Sequence, residues 1–306
     1  MNFKESQRIK HEKNRDKIFR DGGKGLFRGK QRDFVLADPK LNLWGGIRED
    51  VIHYFKTNRI QWWGAAKNPP GHLLSSQIAC LNHLYFIRQR EELATAILRN
   101  LYPSIDSALT VDDGFVEFEK TATTPLGLEK TTSRGAKCTS IDAMMLGITK
   151  NNKRIIFLIE WKYTESYDST DLSRGKSGAT RLITYENLAK SPNCPFDPNY
   201  YNNLFYEPFY QMMRQTLLGA HLVANHEYSA DDWMHVDVVP RKNIDLKNKV
   251  TSSSLTSLGK TIPDIWRKIL KSPDKYLMID PQVLMKPVVD FTDTKTLENY
   301  LSSRYW

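Results

Sequence analysis

The stretch TSIDAMMLGITKNNKRIIFLIEWKY, residues 139 to 163, decides how the rest of the chain is read. Ile155 to Ile159 are apolar in unbroken succession. That is the pattern of a strand buried on both faces, and it predicts a central strand of a sheet covered by helices. Thr139 to Ile148 is a second apolar run, separated from the first by the polar turn Lys150-Asn151-Asn152-Lys153, so the two runs predict a hairpin. Charge enters at its open end: Asp142 on the first strand, Glu160 and Lys162 on the second. Residues two apart on a strand share a face, so Glu160 and Lys162 stand side by side at the end of an otherwise apolar run. Charges placed there are costly unless paired or bound to a metal. With a two-residue turn at Asn151-Asn152, Asp142 would pair with Trp161 and face away from Glu160. A bulge or an odd-length loop is therefore predicted near the turn or beside Asp142.

Upstream, NPPGH (residues 68 to 72) is a turn, and Ser75-Ser76 caps a helix predicted from about Gln77 to Asn100, with Arg88 to Glu92 as a possible break. Phe115 to Glu119 alternates as a strand does, and Gly127 to Gly135 reads as a polar connection. Downstream, residues 164 to 202 form a long polar insertion with a short helical piece near Ala179 to Leu188, a length often used for a lid or ligand-binding loop. A strong helix is predicted from Pro208 to about Ala224, with Phe209, Met212, Met213, Leu217 and Ala220 on one side. Trp233 to Val239 is a strand ended by Pro240, and a later helix lies near Asp264 to Leu270. The core order is helix, three strands, helix, strand. The division expected is a basic arm at 1–33, a domain at 34–240 carrying the insertion, and an extension at 241–306 packed on it.

The 306 residues, 40% of them hydrophobic, suffice for a substantial core and exclude a disordered chain. No run of about eighteen apolar residues is present to span a membrane. Cys80, Cys138 and Cys194 are odd in number and share no CxxC spacing, which points to a reducing compartment, hence the cytoplasm. The formal charge of +9 is uneven: residues 1 to 32 hold eleven bases and four acids, leaving +2 for the remaining 274. Such an arm suits phosphate contact or is simply solvated.

Asp142 and Glu160 are two carboxylates of the kind that hold a hard divalent ion such as Mg²⁺, with Mn²⁺ as substitute, when waters and a phosphate complete its shell. The backbone carbonyl of Trp161 between Glu160 and Lys162 would add a ligand. The Lys162 ammonium would position the nucleophile or stabilise the transition state. Together these are the parts of a phosphodiesterase.

With Asp142, Glu160 eighteen positions later and Lys162 set in that order of elements, the chain resembles the PD-(D/E)xK, or restriction-endonuclease-like, nucleases over about residues 76 to 240. Ile141 replaces the usual Pro, a departure widespread among them. The resemblance implies an α/β restriction-endonuclease-like core, αβββαβ, with a central mixed sheet flanked by helices. It implies Mg²⁺-dependent hydrolysis of DNA, with Asp142 and Glu160 as metal ligands and Lys162 as the third catalytic group. A restriction or anti-phage defence endonuclease is expected. A repair or recombination nuclease on branched or damaged DNA, and a catalytically silent DNA-binding protein of the same fold, are the alternatives. Cleavage of both strands of a duplex further suggests a homodimer.

Tyr206 to Gln215 resembles the helix that such nucleases turn toward their active site. Gln211, Arg214 and Gln215 fall on one stripe, which would bring Arg214 near the scissile phosphate and Gln211 near the attacking water, or else be a solvated face. Glu91 or Glu92 would be an extra acid from the first core helix, although a surface role is favoured for both. His221 and His226 lack zinc-site spacing, and the glycines of residues 21 to 30 lack a P-loop context. Trp62, Trp63, Tyr200, Tyr201 and Tyr206 are read as core aromatics before base-stacking ones.

Overall fold

The structure, a computed structural model, describes all residues except 64–65, 133–137 and 176–179. Gly135 and Ala179, the ends of two predicted segments, lie outside the described residues. The N-terminal arm is a helix, α1 (Phe3–Phe19), capped by Asn2, whose side chain accepts from the Glu5 N–H at 2.9 Å. It is docked on the body: the Tyr163 hydroxyl donates to Gln7 at 2.9 Å and lies 2.7 Å from His11 Nε2, and Lys10 donates to the Trp306 carbonyl at 2.8 Å. Its buried face is made of Gln7, His11 and Phe19, which is why apolar periodicity does not reveal it. After it, β1 (Gly25–Phe27) and β2 (Lys30–Arg32) form a small ribbon.

The helix predicted from Gln77 is two helices, α3 (Ser76–Leu84) and α4 (Glu91–Leu101), which follow α2 (Arg48–Thr57). The break falls at Arg88, which turns inward to donate to the Val116 and Asp112 carbonyls. Next come β3 (Ile105–Leu109), β4 (Glu117–Thr121), β5 (Ser140–Thr149) and β6 (Arg154–Trp161). They are followed by α5 (Thr180–Ala189), α6 (Phe209–Ala224) and β7 (Asp232–Val238). The chain ends with α7 (Ile244–Asn248), α8 (Ile262–Ile269), β8 (Tyr276–Ile279), α9 (Pro281–Val289) and α10 (Lys295–Arg304).

Six strands make one mixed sheet. β3 and β4 pair with different parts of β5, β5 pairs antiparallel with β6, and β6, β7 and β8 run parallel. Ile155, Phe157, Ile159 and Trp161 pack on one side with residues of α2, α3, α4, α9 and α10, while Ile156 and Leu158 pack on the other with α6 and α8. The sheet between two helical layers is the α/β architecture expected of a restriction-endonuclease-like core. Helix α6 approaches β6 closely at Gly219, where a Cβ would come within 2.8 Å of Leu158 Cδ1 and 2.9 Å of the Trp233 ring.

The last 66 residues do more than extend the core: β8 continues its sheet, and the buried Arg304 of α10 donates to the Asn42 carbonyl at 2.6 Å. The insertion is likewise partly core, because Cys194, Phe196 and Tyr201 are buried and Phe196 bridges to Leu270. Among the described residues, no helix is long and apolar enough to cross a membrane.

Candidate active site

The hairpin register settles the parity question. Ala143 pairs with Ile159 and Ile148 with Arg154, and the Thr149 N–H donates to the Lys153 carbonyl at 2.9 Å, leaving a three-residue loop, Lys150 to Asn152. Asn152 takes a left-handed φ of 60°, as the last residue of such a loop does. Ala143 and Ile159 are the last pair of the ladder, and Asp142, next along β5, lines a small cavity with Gln77, Cys80 and Glu119. There the ladder opens: the Trp161 N–H donates to Asp142 Oδ2 at 2.8 Å.

On β4, Phe118 pairs with Ala143 and Lys120 with Ile141, which sets Glu119 opposite Asp142. On β7, Asp237 pairs with Glu160. One acid from each of four neighbouring strands thus lies on a line across the sheet. Glu119 and Asp237 were not singled out in the sequence; the alternation of Phe115 to Glu119 carried the signal for Glu119, and only strand pairing places Asp237. Glu119 accepts from Gln77 of α3 at 2.7 Å, and Asp237 accepts from the Tyr276 hydroxyl at 2.7 Å.

Glu160 is the best-held group. Lys162 donates to its Oε1 at 2.6 Å, Gln211 donates to the same oxygen at 2.8 Å, and Gln215 donates to Oε2 at 2.5 Å. Lys162 also donates to Gln211 Oε1 at 2.5 Å, closing a ring of three side chains. Glu160, Lys162 and Gln215 are all buried. The i, i+4 spacing of Gln211 and Gln215 on α6 is what lets both reach one carboxylate. The third residue of the stripe, Arg214, turns elsewhere: its guanidinium lies 4.7 Å from the Tyr210 ring centroid, in the field of Tyr185, Tyr210, Glu207 and Glu129. Glu91 and Glu92 are exposed at the start of α4, where Glu92 pairs with Arg90 at 2.6 Å.

The electrostatics are those of crowded carboxylates with one cation. Burial, then Glu160 and Glu119, push the Asp142 carboxyl well above the usual range, against the opposing pull of Lys162 and the Trp161 N–H. Burial alone would lower the Lys162 ammonium, but Glu160, Tyr167, Glu165 and Asp142 outweigh it and hold it well above its ordinary value. Lys162 is therefore a cation at neutral pH, suited to charge stabilisation or donation and not to a general base.

Mutually repelling carboxylates, Glu160 and Asp237 buried and Asp142 and Glu119 half-buried, are a donor set that a divalent cation relieves. Among the described residues, no three His, Cys, Asp or Glu side chains are grouped as a metal cage. An ion held by Asp142, Glu160 and a backbone carbonyl, with water and phosphate supplying the rest, fits those residues. His221 lies 2.8 Å from the Thr124 hydroxyl, and all three cysteines are buried.

No curated protein and no solved structure matches the chain. A family model described as Restriction Endonuclease associating with ARP (REase-ARP) matches residues 4–306, taking in the docked N-terminal helix and the C-terminal elements along with the core. With that match and a sheet that brings Asp142, Glu160 and Lys162 to one edge, the chain belongs to this restriction-endonuclease family and is a nuclease of the restriction-endonuclease-like kind.

Proposed function

We propose that the protein is a metal-dependent endonuclease that hydrolyses DNA phosphodiester bonds, of the restriction or anti-phage defence type. One observation carries the reading: Glu160 is fixed on both oxygens by Lys162, Gln211 and Gln215 at the point where the β5–β6 ladder opens beside Asp142. Asp142, Glu160 and the Trp161 carbonyl would hold Mg²⁺ or Mn²⁺. Such an ion, when bound, supplies a Lewis acid that lowers the pKa of a coordinated water and neutralises charge on the phosphate. Lys162 keeps its proton and places a positive charge where the phosphorane develops. Gln211 and Gln215 keep Glu160 in one orientation, so that little reorganisation is needed during reaction.

The reading extends to duplex DNA as substrate, a homodimer on DNA that cuts both strands, and action in the cytoplasm, which an odd number of cysteines without CxxC spacing favours. Incubation with supercoiled, linear and single-stranded DNA plus Mg²⁺, Mn²⁺ or chelator tests it. Cleavage is expected with the metals, abolished by chelator and by Asp142→Ala, Glu160→Ala or Lys162→Ala. Undiminished cutting by any of these variants, or no cutting of any substrate with either metal, overturns it. Sedimentation of the protein with a duplex tests the dimer, and double-strand breaks made by a strict monomer refute it.

A further inference from the structure

The ribbon β1–β2 has no part in the core or in the carboxylate site. Its base is fixed by the Gly25 N–H, which donates to the Val35 carbonyl at 2.9 Å, and beside its turn the Phe27 ring packs 4.9 Å from His72 and stacks 6.2 Å from Trp63. The opposite face, with Leu26 and Gln31, is exposed. The turn is Arg28-Gly29, both at left-handed φ, 51° and 73°, the two-residue geometry that keeps a ribbon narrow and twisted. Residues 24 to 32 contain four bases, Lys24, Arg28, Lys30 and Arg32, and no acid. All four are exposed, and among the described residues none has an acidic partner. Leu26 pairs with Gln31 across the ribbon on the face opposite Phe27, and Leu26 is 74% exposed, an unusual position for a leucine.

A cleft of about 300 Å³ runs from Phe27 and Arg28 past Ser76 and Gln77 to Thr164 and Glu165. Gln77 is the residue that donates to Glu119, and Thr164 is two residues beyond Lys162. The cleft therefore runs from the ribbon to Gln77 and Thr164, near neighbours of the carboxylate site, with the N-terminus of α3 along its wall, an end that favours phosphate.

We propose that the β1–β2 ribbon is the element that reads DNA sequence. The inference rests on the duplex-DNA reading above. The major groove of B-form DNA admits a two-stranded ribbon. In that position Gln31 addresses the paired acceptor and donor of an adenine, Leu26 lies against a thymine methyl, and Lys24, Arg28, Lys30 and Arg32 neutralise flanking phosphates. The cleft then leads the backbone to Asp142, Glu160 and Lys162.

The test compares duplex binding and cut-site choice in the full chain and two ribbon variants, Lys30→Ala/Arg32→Ala and Leu26→Ala/Gln31→Ala. The substituted side chains are exposed, so unchanged melting curves are expected for both. Losing two phosphate contacts should reduce the slope of log affinity against log salt by about 2, so that raising salt from about 50 to 200 mM weakens this variant about tenfold less than the parent. Leu26→Ala/Gln31→Ala should keep the parental slope and lose discrimination among cut sites. Parental slope and parental site choice in the two variants would overturn the ribbon's role while leaving the nuclease reading intact, as would a parent chain that binds no duplex but cuts single strands. A parent that binds duplex through the ribbon yet cuts nothing would uphold the ribbon and remove the nuclease reading.

Discussion

The last residues of β6 and those just after it face two very different surroundings, one position apart. Glu160 and Lys162 look toward α6 into a small polar ring with Gln211 and Gln215. Trp161 and Tyr163 look the other way into an aromatic cluster. There the His83 ring lies 4.5 Å from Trp161 and 4.9 Å from Tyr305, and Tyr163 stands edge-on to Tyr305 at 5.4 Å. The aromatic side ties both chain ends to the strand, through His11 and Gln7 of α1 and through α10. Alternation thus separates two surroundings: even positions form the polar ring, and odd positions anchor the strand that presents it. A buried polar ring contributes little net stability once its desolvation is counted, whereas large aromatic side chains contribute strongly through buried area and contacts.

That contrast is easiest to break with substitutions at adjacent positions. Lys162→Ala should reduce DNA cleavage by at least about 10³-fold, the scale of removing a group that stabilises transition-state charge; because it also leaves Glu160 buried without its cation and so lowers stability, it is compared with Lys162→Met/Glu160→Gln, which removes both charges and should lose cleavage while shifting the unfolding midpoint less. A double variant that unfolds in step with its loss of activity would make Lys162 a structural residue. Trp161→Ala should do the reverse first: it removes a fully buried indole and should cost roughly 3–5 kcal/mol of stability, read from urea unfolding. A Trp161→Ala chain as stable as the parent would refute the division between faces.

Gln215→Leu sharpens the comparison inside the polar ring. Gln215 donates to Glu160 Oε2 and makes no part of the aromatic cluster. Loss of such an orienting contact typically lowers activity about 10- to 100-fold, and the deficit should appear in kcat more than in DNA affinity. A change in affinity alone would assign Gln215 to substrate binding instead.

The polar side of this arrangement was legible in the sequence, and the aromatic side was not. Asp142, Glu160 and Lys162 stand out because charge at the end of Ile155 to Ile159 breaks a strong local rule, and parity alone then demanded an odd loop, which Lys150 to Asn152 supplies. Gln211 and Gln215 followed from helical spacing. Arg214 shares that stripe yet stacks on Tyr210, because a long side chain can leave the direction its backbone sets. Glu119 and Asp237 acquire meaning only from strands paired across long sequence separations. Helix α1 was hidden because its buried face is Gln7 and His11, and β8 because four residues are too few to show a period. The arm's charge belongs to the exposed side of a docked helix and to the ribbon, a distinction that counting charges along the chain does not draw.

The aromatic side also carries a proton-linked property that the polar ring does not. His83 Nδ1 lies 2.6 Å from the Ala79 carbonyl, and burial foremost, with Arg304 adding to it, lowers its pKa to about 3; His11 is likewise pushed well below its ordinary value. Between the folded pKa and an unfolded value near 6.5, the unfolded chain binds a proton that the folded one refuses, so stability is full above about pH 6.5 and falls as pH drops below it. For His83 the slope is at most about 1.4 kcal/mol per pH unit. His83→Gln cannot titrate, so its unfolding midpoint should decline less steeply than the parent's between pH 6.5 and 5. Parallel declines would mean that His83 is protonated in the folded protein. Its folded pKa would then equal its unfolded one, and the cluster would contribute nothing to the pH dependence of stability.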